Sequence, residues 1–526
     1  MSLVYAGFRW HPRAVNEPHT KAPRVVVIGS GFGGLGIAVR LAARGFRVTL
    51  VDKRDQAGGR AYVYRDQGFA FDGGPTVVTA PFLLEELFEL AGRKMADHLT
   101  LVPVDPFYRI RFHDGRVFDY TGDADRMAEE VRKFNPADVD GYRKFVLEAE
   151  KIFKVGFEQL GDVPFHRFTD MLKIVPQMIK LRSHLSVYKL VSKYLSDDAL
   201  RVVMSFHPLL VGGNPFTTTS IYSLIAFLER KWGVWFAKGG TGAIVQALVE
   251  LFQSLGGTLE LSTEVEQITV ADGRVSGVRL KGGGTIPAEL VVCNGDAPYV
   301  YKNLIDPSVR RKNTDARVDK MRYSMSLVVS YFGTKKTYPD LAHHTILLGP
   351  RYRELLDDIF DKKILASDFS LYLHAPTRTD PSLAPPGHEN FYVLAPVPHL
   401  GAGVDWEKEG PLFRDRLFEY LEQTGIPGLR DNLVTERLIT PQHFQDELNS
   451  ERGAAFSIQP VLTQSAYFRF HNRSEDIANL YFVGAATHPG AGLPGVLSSA
   501  KVVDRLIPDR DGTGNARDPI AGSHAA

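Results

Sequence analysis

Residues 24–60 read RVVVIGSGFGGLGIAVRLAARGFRVTLVDKRDQAGGR, and this stretch decides the fold. Arg24 to Ile28 has the apolar run of a buried strand. Gly29-x-Gly31-x-x-Gly34 follows, with Gly33 inside it, and then a helical pattern to Ala43. A second strand, FRVTLVD, ends on Asp52. Strand, glycine turn, helix, strand and acid in this order form a β-α-β dinucleotide unit. The glycines let the backbone approach a pyrophosphate, and a carboxylate ~20 residues on meets ribose hydroxyls. Asp52 is the carboxylate in that place, and it favours an unphosphorylated ribose.

Working outward, Gly58-Gly59-Arg60 stands just past the second strand. An NAD domain has no general need for it, whereas a flavoprotein can set its glycines and guanidinium near the pyrophosphate of FAD. The next turn, FDGGPTVVT (71–79), supplies the small residues Gly74, Pro75 and Thr76 where backbone must lie close to a planar ring. Near the other end, NLYFV (479–483) reads as a strand, VLSSAKVVDRLI (496–507) as a helix, and GAATHPGAGLPG (484–495) as the turn between them. A glycine-rich strand-to-helix turn aims free N–H groups and a helix dipole at a ligand. A reduced flavin, negative at N1/O2, suits such a helix start. Gly484, His488, Pro489, Gly492 and Leu493 are therefore cofactor candidates, together with Val265; a strand meander (257–298) re-enters the nucleotide domain around Val265 and Cys293–Asp296.

The chain of 526 residues is long enough for two or more lobes. Hydrophobic residues at 44% and charged residues at 23% are the balance of a folded globular protein. A net charge of +1 argues against a polyanion binder, so no nucleic-acid partner is expected. One cysteine, Cys293, excludes an internal disulfide framework and fits a reducing cytoplasm. No stretch reaches the ~18 apolar residues of a spanning helix. There is no P-loop, HExxH or GxSxG, which leaves phosphoryl-transfer, zinc-hydrolase and esterase readings unsupported.

NLYFVGAATHPGAGL (479–493), GGRAYVYRDQGFAFDGGPTVVT (58–79), SFHPLLVGGNPF (205–216) and WGVWFAKGGTGAIVQAL (232–248) resemble the bacterial-type phytoene desaturases. These are FAD enzymes of carotenoid biosynthesis in the wider amine-oxidase-like flavoprotein class. Ala486 stands where that family usually has glycine or serine. The resemblance spans residues 24–508 and implies desaturation of 15-cis-phytoene to lycopene with FAD as immediate acceptor. It implies a C40 carotenoid substrate, contact with a lipid bilayer surface on the inner face of the cell membrane, and a quinone or oxygen as terminal acceptor. A homo-oligomer stays open. Three rivals are also open: another carotenoid-acting flavoenzyme, a non-catalytic lipid carrier on the same fold, and an NAD-dependent dehydrogenase.

The expected fold is α/β, with a discontinuous Rossmann-like FAD-binding domain (24–90, 233–300 and 476–508). A mixed β-sheet substrate domain (91–125 and 301–475) and a helical, membrane-associating subdomain (126–232) complete it. A flexible arm (1–23) and a disordered tail (509–526) flank them. Phe165 to Leu195 alternates Arg167, Lys173, Lys180, Arg182, Lys189 and Lys193 with apolar residues, the composition of a helix lying in an anionic interface. Asp170 is the lone carboxylate there; with Lys173 one helical turn on, it is the candidate proton acceptor. His207 and the pair His343–His344 read as structural, because no metal-ligand spacing joins them.

Overall fold

The computed structural model describes residues 22–509. The expected flexible arm and disordered tail fall, except for Ala22, Pro23 and Asp509, outside the described residues.

A five-stranded parallel sheet carries the nucleotide motif. Its order is Leu480–Phe482, Leu290–Cys293, Arg24–Ile28, Arg47–Val51 and Thr258–Glu260. Val25, Val27, Val48 and Leu50 face one side and pack on the helices Phe32–Ala43, Thr241–Ser254 and Leu493–Leu506. Val26, Val51, Val291 and Cys293 face the other and pack on the antiparallel strands Val265–Ala271 and Arg274–Leu280 and the helix Ala297–Asn303. With both faces covered, nearly every strand position is apolar, which is why these segments read as continuous hydrophobic runs. Each fully buried Val or Leu contributes roughly 1.5–3 kcal/mol.

The first helix lies tight on the first strand because Gly34 has no side chain. A Cβ there would meet the Gly29 carbonyl oxygen at 1.9 Å. Such overpacking costs about 1–3 kcal/mol where backbone must move.

A seven-stranded mixed sheet forms the second lobe, in the order Leu433–Ile439, Ser326–Thr334, Glu389–Val397, Leu371–His374, His344–Leu348, Tyr108–Phe112 and Val117–Tyr120. Side chains alternate across it with the period of two that strands impose. Val328, Phe332, Phe391, Val393 and Leu373 pack against Trp406, Phe413, Leu417 and Leu421 of the helix Trp406–Thr424. Leu327, Val329, Tyr331, Ile346 and Leu348 point the other way, into the wall of a cavity.

Two expectations shift. The last helix begins at Leu493, three residues before the expected Val496, inside the glycine-rich stretch. Pro494 at its start makes this favourable, since its fixed φ suits a first turn and its missing N–H costs nothing there. The segment 165–195 is not one surface element. The helix Phe168–Lys180 lies at the surface, but in the short helix Val187–Val191 the residues Val187, Leu190 and Val191 are buried. Their i, i+3, i+4 spacing forms an apolar stripe that faces the protein core.

Candidate active site

A cavity of about 620 Å³ runs from the glycine turns of the parallel sheet to the open face of the mixed sheet. At the nucleotide end its lining includes Gly29, Gly31, Gly33, Asp52, Gly59, Arg60, Gly74, Pro75, Thr76 and Val265. Gly484, His488, Pro489, Gly492 and Leu493 line it from the C-terminal turn. Of the cofactor candidates only Gly34 is off the lining, held beneath it by the helix–strand contact described above.

Both helix starts that border this end are electrostatically open. The helix Phe32–Ala43 begins after Gly31 with no side-chain cap and no acid in its first turn, and so does the helix that begins at Leu493. Unpaired N–H groups at a helix N-terminus favour an anion. Asp52 ties the turn in place: one oxygen accepts from Ser30 N at 2.7 Å and Ser30 Oγ at 2.6 Å, the other from Arg54 N at 2.9 Å.

Arg60 is partly buried beside Asp296, and desolvation pulls its guanidinium below the usual arginine range. Its Nη2 donates to Ser450 Oγ at 2.7 Å, while Nη1 is buried with no protein partner. A buried cationic donor without a partner is costly unless a ligand completes it. The Gly73–Thr76 turn is anchored from beneath by Asp72, whose carboxylate accepts from Thr241 N at 2.9 Å and Gly242 N at 3.2 Å. Burial pushes the Asp72 carboxyl up to about 6. Gly74 has φ of +115°, and a Cβ there would meet nothing within 4 Å, which leaves open space beside the turn. Pyrophosphate-ready helix starts, an unsatisfied guanidinium and a bare glycine turn fit a flavin dinucleotide.

Three residues take roles that sequence reasoning did not assign to them. Asn294 follows the strand Leu290–Cys293 and fills the space between the two glycine turns. A Cβ on Gly33 would meet Asn294 Oδ1 at 2.5 Å, and one on Gly31 would meet Nδ2 at 2.8 Å. Arg469, only 1% exposed, donates from Nε to Thr487 O at 3.0 Å and from Nη2 to Ala485 O, clamping the C-terminal turn. Neither carries a local motif, because each acts on a turn remote in sequence. His488 is recessed in the same turn, donating from Nε2 to Leu160 O at 2.9 Å, and burial lowers it to about 4.

The third is Glu229, in the apolar arm. That arm is lined by Ile174, Met178, Phe206, Leu228, Tyr331, Tyr372 and Leu394, among others. Glu229 is fully buried in the helix Leu224–Trp232, whose Ile225, Leu228 and Glu229 share one face toward the cavity. Tyr108 OH donates to its Oε1 at 2.7 Å, and His207 Nε2 lies 3.2 Å from Oε2. The sequence could signal it only as a charge within an apolar helix. Asp170 and Lys173 form a salt bridge at 3.4 Å and do not line the cavity; Ile174 and Met178 are the lining residues of their helix. His343 and His344 are buried behind the Tyr372 wall.

Residues 32–503 match the family described as flavin containing amine oxidoreductase. A lycopene-forming phytoene desaturase of Pseudescherichia vulneris is 54% identical over 92% of this chain and 99% of its own length. The chain belongs to the phytoene desaturase branch of the flavin-containing amine oxidoreductases. It is accordingly an FAD oxidoreductase. A neurosporene-forming phytoene desaturase of Cereibacter sphaeroides is 45% identical over 94% of this chain and 96% of its own length. A crystal structure of an oxidoreductase from Methanosarcina mazei superimposes with a TM-score of 0.59 at 18% identity, covering 91% of this chain and 99% of that one. That last likeness concerns the fold alone.

The crowding at Gly31 generates a test. Gly31→Val should leave the purified protein folded by circular dichroism but without visible flavin absorption. A variant that keeps one FAD per chain would show that this turn does not carry the cofactor.

Proposed function

We propose that this protein desaturates 15-cis-phytoene to lycopene, with FAD as immediate acceptor, at the surface of a lipid bilayer. One observation carries the reading: a single cavity joins the glycine cradle to a long apolar arm. The lycopene-forming relative supports the choice of product, since its resemblance extends over nearly its whole length. The electrons leave to a quinone or to oxygen.

Bound in the cradle, FAD supplies a hydride acceptor for an allylic C–H bond. The arm contributes apolar walls that orient a hydrocarbon and exclude water. Each double bond also releases a proton from the neighbouring carbon, and an apolar arm needs a base to take it. Of the carboxylates lining the cavity, Asp52, Glu264, Asp296 and Glu447 belong to the nucleotide end and Glu229 to the arm. Oε2 of Glu229 accepts the proton in this reading. The Tyr108 hydroxyl holds Oε1 and the His207 ring flanks Oε2. Glu229 is preferred to Asp170 because Asp170 stays off the lining, paired with Lys173.

The bilayer part rests on two neighbouring segments. Ile174 and Met178 line the cavity from the helix Phe168–Lys180, while Phe168, Leu172 and Ile179 on the same helix are 50%, 54% and 65% exposed. Leu462 and Ala466 line it from the adjoining segment, whose Phe468 is exposed; the Phe168 and Tyr467 rings meet at 5.6 Å. Apolar surface thus continues from the cavity wall to the outside, ringed by Arg167, Lys173, Lys180 and Arg182. Among the described residues no helix is long and apolar enough to cross a membrane. A peripheral contact that admits a water-insoluble polyene accounts for both facts.

Reconstitution of the protein with FAD, liposomes and phytoene tests the activity. The lycopene absorption spectrum should appear; an absence of desaturated product, or accumulation of neurosporene alone, would overturn the reading. Glu229→Gln should lower kcat by about 10²–10⁴-fold, the usual weight of a positioned acid–base group, with FAD content unchanged. Asp170→Asn should leave kcat close to the parent value. The reverse order would move the base to Asp170.

Replacing Phe168, Leu172 and Ile179 with serine should weaken sedimentation with anionic liposomes at every salt concentration. Replacing Lys173, Lys180 and Arg182 with glutamine should weaken it at low salt only, by up to ~1 kcal/mol per cation. Parent-like binding by both variants would place the lipid contact elsewhere.

A further inference from the structure

Behind the Tyr372 wall lie three buried histidines that neither the cofactor nor the proton transfer uses. His344 opens the strand His344–Leu348, and the antiparallel register sets it directly opposite His374, the last residue of Leu371–His374. His343 precedes it, and its ring sits 4.8 Å from that of His374. Their relative exposures are 6%, 0% and 1% for His343, His344 and His374.

One ring nitrogen from each histidine lies within 4.8 Å of the other two. His343 Nε2 and His374 Nε2 are 3.0 Å apart. The other nitrogens are occupied in a telling way. His343 Nδ1 meets Thr379 Oγ1 at 2.6 Å, and His344 Nδ1 meets Tyr372 OH at 2.6 Å. That leaves Nε2 of His343 and of His344 free to present a lone pair, and His344 Nε2 is buried with no hydrogen-bond partner. A metal ion on that nitrogen would satisfy it, and a buried polar atom without a partner is costly.

We propose that His343, His344 and His374 bind one Zn²⁺ through their ring nitrogens, with water completing the shell. Three imidazoles without thiolate suit zinc, and a three-histidine set with an open fourth position is an established zinc geometry. Zn–N bonds of about 2.0–2.1 Å in a tetrahedron put ligand nitrogens roughly 3.4 Å apart. One pair here is 3.0 Å apart and the whole set stays within 4.8 Å, so modest side-chain shifts close the site. The hydrogen bonds at Nδ1 are the outer-shell contacts that fix ring orientation and tautomer in metal sites. Burial also keeps the rings neutral, as ligands must be: His343 is pulled down to about 3, and His344 and His374 well below the usual histidine range.

The site connects to the cavity. With zinc on Nε2, His344 carries its proton on Nδ1 and donates to the Tyr372 oxygen. The Tyr372 hydroxyl then donates to Thr76 Oγ1, 2.6 Å away on the Gly73–Thr76 turn. Zinc thereby stiffens the wall between the mixed sheet and the cofactor turn. The proposal is independent of the desaturase reading, because its test measures metal and not turnover.

Tag-free holoprotein is incubated with Zn²⁺, desalted and measured by elemental mass spectrometry. About one zinc per chain is expected, with a nitrogen shell at ~2.0–2.1 Å by X-ray absorption. His344→Gln and His374→Gln should each lose the zinc and keep the FAD. A parent without zinc, or variants that retain it, would overturn the site. If a variant fails to fold, the parent spectrum decides: fewer than three imidazoles around the metal refutes the assignment.

Discussion

The nucleotide end of the cavity depends on one close approach: the Asn294 side-chain amide wedged between two glycine turns from opposite ends of the chain. A Cβ on Gly33 would strike Asn294 Oδ1 at 2.5 Å, and one on Gly484 would meet the same oxygen at 3.0 Å. Around this junction the parallel strands Arg24–Ile28, Leu290–Cys293 and Leu480–Phe482 lie side by side. Each delivers its following turn to the same edge of the sheet, where ligands bind in open α/β sheets. Arg469 then holds the last turn through its carbonyls, a pattern that requires a buried guanidinium to be satisfied by backbone.

The mixed sheet serves the same cavity from the other side through its alternation of faces. One face must be apolar to pack on the helix Trp406–Thr424, and the opposite face is free to line the arm. Tyr331 shows the coupling between lobes: it stands on the cavity face, and its hydroxyl donates to Gly73 O at 3.1 Å. The two ends of the cavity are thus held in register by such polar contacts together with a shared apolar cluster, in which Tyr64, Phe69 and Phe71 pack with Leu327, Val329 and Tyr331.

The β-α-β unit, the GGR turn and the C-terminal glycine turn were legible in the sequence because each is a local pattern whose spacing follows from backbone geometry. The lining also draws on the turns that the sequence marked at residues 58–60, 71–79 and 484–495. Glu229, Asn294 and Arg469 were not legible, since nothing near them in sequence tells which remote turn or cavity they serve. The same limit explains His374, thirty residues from His344 and opposite it only through strand register. It also explains why 165–195 looked uniform. Charge alternation does not say which apolar stripe faces the core, and Val187, Leu190 and Val191 do so while Leu172 and Ile179 do not.

The two ends of the cavity pose opposite electrostatic problems. At the cradle, unpaired helix N–H groups and the orphan Arg60 Nη1 await negative charge, so the site is incomplete without an anionic ligand. In the arm the one carboxyl group on the lining is Glu229, to which Tyr108 donates and beside which His207 stands. The proposed desaturation uses this division: a polar cradle for the hydride acceptor and a buried carboxyl group for the proton. In that proposed reaction the apolar lining of the arm shields the reacting polyene from water while both leave.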